Sequence, residues 1–253
     1  MVIYFKSIFI IVFLIIMQTG SIAPVKQIFK VPISIYDISA GEYKPIELYI
    51  HSPKSEIGEW YELMLMAQNN GLRLAYSSEW FRGRQYMEEK HPEAEKDFIE
   101  GPLEWTGTVL DFNDETLNEG IILNPDKTIK TIKTKLGKEQ GIILPHESKY
   151  IKDLDDTYMP LARHLWGVED PKRDLPVYAY LLVEPNGFKP VVRGDWRWHY
   201  HGNRQVNVDA SYDPAHGRFA ARLVSEARPE NVFTLKEYED MLRQISGRPI
   251  LIE

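Results

Sequence analysis

Along most of this chain the apolar residues alternate with polar ones rather than recurring every three or four positions. The stretch "FKVPISIYDISAGEYKPIELYIHSP" sets Ile33, Ile35 and Tyr36 before a turn centred on Gly41, and "IELYI" alternates after it. That pattern predicts two strands joined by a tight connection. "EWYELMLMAQNNG" is apolar at nearly every position, which fits a strand covered on both faces and ended by the Asn69-Asn70-Gly71 turn; a buried helix is the rival reading. Helical spacing first emerges in "LRLAYSSEWFRGRQYMEEK" through Trp80, Tyr86 and Met87, and Pro92 can open a second short helix. From Leu103 to Leu144 the pattern returns to strands, with one internal echo in "EGIILNP" and "QGIILPH". A single echo does not make a repeat architecture.

"SKYIKDLDDTYMPLARHLWG" predicts helix broken near Pro160, and "DLPVYAYLLVEPNGF" a strand ending in a Pro185-Asn186-Gly187 turn. The last predicted helix is 235–246. Thr234 and Glu237 make a capping-box pair, Leu235, Tyr238, Leu242 and Ile245 line one face, and Gly247 supplies the stop. "PILIE" can add a final strand. The whole predicts an α+β fold of antiparallel β-meander sheets with a few helices. A two-lobe arrangement would place a β-rich lobe at 24–147 and an α+β lobe at 148–253.

The stretch "GDWRWHYHGNRQVNVDASYD" carries the densest chemistry. In "QVNVDASY", Val206, Val208 and Ala210 fall on one face of a strand, and Gln205, Asn207, Asp209 and Ser211 on the other. A three-residue loop, Gly202 to Arg204, keeps apolar opposite apolar. It pairs His201 with Gln205, His199 with Asn207, Arg197 with Asp209, and Trp198 with Val208. Trp196, Trp198 and Tyr200 then belong to the core. Arg197, His199, His201, Gln205, Asn207 and Asp209 form a polar, hydrogen-bond-rich candidate binding face. "RFAARLV" would extend the meander, with Phe219, Ala221 and Leu223 inward and Arg218 and Arg222 on the polar side.

Composition and charge narrow the functional classes. The first residues carry Lys6, an apolar run from Ser7 to Met17 and a small-residue end at Ser21-Ile22-Ala23. That is the layout of a signal peptide over 1–23. Pro24 follows the cleavage position and disfavours cutting, so an N-terminal anchor is the alternative. Either way the expectation is an exported protein, periplasmic or extracellular, touching membrane only through an uncleaved N-terminus. The chain has no cysteine, which removes thiolate zinc sites and thiol catalysis. A net charge of −7 argues against a nucleic-acid partner. The lysines 127, 130, 133, 135 and 138 read as protection of an exposed edge rather than as a polyanion site.

His199 and His201, one residue apart on a strand, could share a metal ion, but no third ligand stands at a metal-site spacing; Asp209 and His216 are the nearest candidates. No nucleophile elbow or phosphate-cradling glycine loop is present, and the Arg193-Gly194-Asp195 triplet reads as a chance match on a turn. No catalytic residue, metal or cofactor is therefore assigned. The expected function is non-catalytic binding or scaffolding in the cell envelope, with a cell-envelope glycan or an envelope protein as partner. A metal-dependent hydrolase using His199 and His201, or a membrane-anchored subunit of an envelope complex, are the alternatives.

Three segments in order, "EWYELMLM", "YMPLARHLW" and "RGDWRW…NRQVNVDASY", resemble the periplasmic peptidoglycan-binding CsiV family. They are similar to its opening Trp-Tyr strand, its His-x-x-Trp segment and its Gly-led hairpin. The residues before Trp60, and the absence of an Arg-rich final strand ending in Asp-His-Pro, depart from that family. The resemblance implies a non-catalytic envelope protein that binds peptidoglycan.

Overall fold

The computed structural model describes residues 27–225 except 38–39, 53, 56, 70, 94–102, 112–115, 119–120, 124–128, 132–134, 137–148, 184–187, 198–203 and 216. The expected signal peptide, the second copy of the echo, the Pro185-Asn186-Gly187 turn, the helix 235–246 and the final strand lie outside the described residues.

The fold is α+β. Strands β1 (Gln27–Asp37) and β2 (Glu42–Ser52) form a long antiparallel hairpin, in register from Gln27 opposite Ser52 to Asp37 opposite Glu42. Gly41 closes its turn at φ 69°, a left-handed conformation that suits glycine, and donates to the Asp37 carbonyl at 2.8 Å. Alternation in both strands and a glycine at the turn made this element readable.

"EWYELMLMAQNN" corrects the expected strand. It is helix α1 (Trp60–Asn69), and its buried residues are Trp60, Leu63, Met64 and Ala67. Those positions are i, i+3, i+4 and i+7, one stripe of an α-helix. Met66 and Leu65, half-buried on its flanks, hid that stripe by making every position look apolar. The expected turn does end it: Gly71 sits at φ 67° and Leu72 donates to the Ala67 carbonyl.

After β3 (Arg73–Leu74) comes α2 (Ser77–Lys90), covering the predicted Trp80, Tyr86 and Met87. Glu79, in its first turn, accepts from the Tyr76 backbone N–H at 2.9 Å and takes a two-pronged ion pair from Arg73 at 2.6 and 2.7 Å. Strands β4 (Glu104–Asp111), β5 (Thr116–Asn118), β6 (Ile121–Leu123), β7 (Ile129–Thr131), β8 (Lys135–Leu136) and β9 (Lys149–Tyr150) follow. Helix α3 (Met159–Trp166) carries Pro160 in its first turn rather than breaking there, because proline is well suited to that position, and it is capped by Gly167 at φ 65°. A short α4 (Pro171–Asp174) leads to β10 (Tyr178–Val183), β11 (Phe188–Arg197), β12 (Arg204–Ala210), β13 (Ala220–Ala221) and β14 (Leu223–Ser225).

One sheet has the order β1-β2-β14-β3 and a larger one the order β8-β5-β4-β11-β12-β10-β9, with β13 added beside β4. Both draw strands from either side of residue 147, so the segments 24–147 and 148–253 interleave. Most pairs are antiparallel, but β10–β12 and β4–β13 are parallel. "RFAARLV" therefore does not extend a meander from β12. Its residues pair with β4, then with β2 and β3.

The larger sheet is covered unequally on its two faces. Against one face, Trp80, Phe81 and Met87 of α2 and Leu161, Leu165 and Trp166 of α3 bury Ala179, Leu181, Val191, Val206 and Val208. Against the other, α1 clusters with Trp105 and Val109 of β4, Val192 of β11 and Ala221 of β13. Trp60 anchors α1 there by donating to the Thr106 carbonyl at 2.9 Å. The same second face continues across β12, β10 and β9, beyond α1.

Candidate functional site

Alternation along β12 is as expected: Val206, Val208 and Ala210 are fully buried on the helix-covered side, and Gln205, Asn207 and Asp209 share the other side. Its pairing corrects the expected three-residue loop. Arg197 stands opposite Arg204, Trp196 opposite Gln205, Gly194 opposite Asn207, Arg193 opposite Val208 and Val192 opposite Asp209. Relative to the expectation the register is shifted by five residues, an odd number, so the partners on each face are exchanged. His199 and His201 fall between the paired residues Arg197 and Arg204 and lie outside the described residues. Arg197 and Asp209 are thus five rows apart, roughly 17 Å along the strand. Arg193-Gly194-Asp195 lies within β11 and not on a turn.

Asp209 is committed locally. Its carboxylate accepts from the Ser211 backbone N–H at 3.0 Å and from Ser211 Oγ at 2.6 Å, and it is buried. Burial, and secondarily this carboxylate, raises the pKa of the neighbouring Tyr212 hydroxyl.

Asn207 differs. It is 6% exposed, and its Oδ1 is buried with no hydrogen-bond partner among the described residues. The residues around it follow from register. On one side β10 runs parallel, with Tyr180 beside Asn207 and Tyr178 beside Gln205. Beyond it Tyr150 of β9 pairs with Tyr180. On the other side stands Gly194, which puts no side chain in that row. One row therefore runs Tyr150, Tyr180, Asn207, Gly194 across four strands, about 5 Å apart from strand to strand.

Tyr150 touches both of the other tyrosines. Tyr150 meets Tyr180 at 5.5 Å between ring centroids and Tyr178 at 6.1 Å, both edge to face. Tyr150 is 40% exposed and Tyr178 39%, and Val177 beside them is exposed as well. Tyrosines at alternate positions of "VYAYLL" were the available sign of this surface, and sequence reasoning used that segment only as a strand.

A second cluster lies on the opposite, helix-covered face. Glu104 is 1% exposed and accepts from Arg222 Nη2 at 2.8 Å, Trp80 Nε1 at 2.9 Å and Lys54 Nζ at 3.4 Å. Arg193, directly opposite Glu104 in the β11–β4 ladder, lies over the Trp166, Trp80 and Phe81 rings at 4.9, 5.4 and 5.4 Å. Each such contact contributes on the order of 0.5–2 kcal/mol. Arg222, expected on a solvated face, is instead fully buried. Its ion pair ties the β13–β14 segment to β4 and α2. With Glu104, Arg193 and Arg222 all at or near zero exposure, this cluster braces the core and meets no solvent-borne ligand.

Among the described residues no three His, Cys, Asp or Glu side chains gather to hold a metal, and no helix is long and apolar enough to cross a membrane. No family model, no curated protein and no solved structure matches the chain. What the described residues define is an α+β protein whose larger sheet carries part-exposed Tyr150 and Tyr178 on the same face as Tyr180, Gln205 and the buried Asn207.

Proposed function

We propose that this is an exported, non-catalytic binding protein of the cell envelope, and that Tyr150, Tyr178 and Tyr180 with Gln205 and Asn207 form a glycan-contacting surface. The observation that carries the reading is the cluster of part-exposed Tyr178 and Tyr180 packed on Tyr150, beside two amides on one sheet face. Tyrosine faces stack on the C–H faces of sugar rings, and their hydroxyls, like the amides, exchange hydrogen bonds with sugar hydroxyls. Ring pairs that are already packed lose little side-chain entropy on binding. The net charge of −7 favours a neutral saccharide over a polyanion. Export rests on the signal-peptide layout of residues 1–23, and the three segments resembling the CsiV family point the same way. The first of those segments, likened to a strand, is helix α1 in this chain.

Retention on insoluble cell-wall glycan tests the reading. Wild type is expected to sediment with the glycan and a Tyr150→Ala/Tyr178→Ala double variant to stay in solution. Wild type retained no better than an unrelated protein of similar charge would refute it.

A further inference from the structure

We draw no further inference here: the strongest candidate, the surface patch where exposed Ile57 and half-buried Tyr61 of α1 meet half-buried Tyr212 and Phe219 beside the exposed Asp213, carries nothing, because its rings form the rim of the core cluster around Trp105 and nothing in the structure shows what covers them.

Discussion

Replacing Asn207 by leucine should make the protein more stable. Leucine has the same number of side-chain heavy atoms and nearly the same shape, so the change neither opens a cavity nor forces the neighbours apart. Asn207 sits at 6% exposure in the middle of β12, and its Oδ1 has no hydrogen-bond partner among the described residues. Burying such a group without a hydrogen bond costs about 1–3 kcal/mol. Leucine removes that cost and adds favourable apolar burial against Tyr180. The expected gain is about 1–3 kcal/mol, which corresponds to roughly 2–10 °C in Tm for a domain of this size. Urea unfolding followed by tryptophan fluorescence measures it as a higher midpoint at unchanged slope. A loss of more than about 1 kcal/mol would mean that the amide does hold something in the fold, and the argument for Asn207 as a ligand group would collapse. A gain in stability coupled to lost glycan retention is the pattern of a residue kept for binding at the expense of the fold.

Further outcomes follow from the same contacts. Glu104→Gln should destabilise by about 3–5 kcal/mol, because it leaves Arg222 and Arg193 buried without the carboxylate that faces both; a loss below 1 kcal/mol in urea unfolding would show that the cluster is dispensable. Burial lowers the pKa of His51 to about 4, so the folded state holds it neutral. Because that pKa lies below the unfolded value near 6.5, its contribution is fully present above pH 6.5 and is lost as pH falls towards 4. The loss amounts to about 3 kcal/mol at most, and His51→Leu should flatten this part of the pH–stability curve. Gly167→Ala should cost about 1–2 kcal/mol, since alanine is strained at φ 65° and its Cβ would stand 3.0 Å from Ser78 Cβ; an unchanged Tm would contradict this. Tyr178→Ala, at an exposed site, should change stability by less than about 0.5 kcal/mol while reducing retention on wall glycan.

Elements defined by neighbours in sequence were legible before the fold was known. The β1–β2 hairpin needs only alternation and Gly41, and α2 only the spacing of Trp80 and Met87. What was missed depends on partners distant in the chain. Helix α1 was misread because flanking methionines and leucines blurred its 60, 63, 64, 67 stripe. The β11–β12 register was misjudged because the shortest loop that kept two clean faces is not the loop the chain uses. Its actual pairing sets Arg193 beside Val208, which looks wrong in sequence and is satisfied only because α2 and α3 bring Trp80, Phe81 and Trp166 over the guanidinium. Arg222 was read as facing the polar side because charge in a strand is ordinarily exposed, and only a partner over a hundred residues away, Glu104, allows it inside.

For the candidate site, the alternation of Gln205, Asn207 and Asp209 could be read directly, whereas Tyr150, Tyr178 and Tyr180 join it through a parallel pairing that no local pattern announces.

The most direct test of the proposed glycan-contacting face is nuclear magnetic resonance of the labelled protein during titration with soluble fragments of cell-wall glycan. The account predicts that the side-chain amide signals of Asn207 and Gln205 and the ring signals of Tyr150, Tyr178 and Tyr180 shift together along one saturable curve. Shifts confined to other surfaces, or none at all while binding is detected calorimetrically, would contradict it.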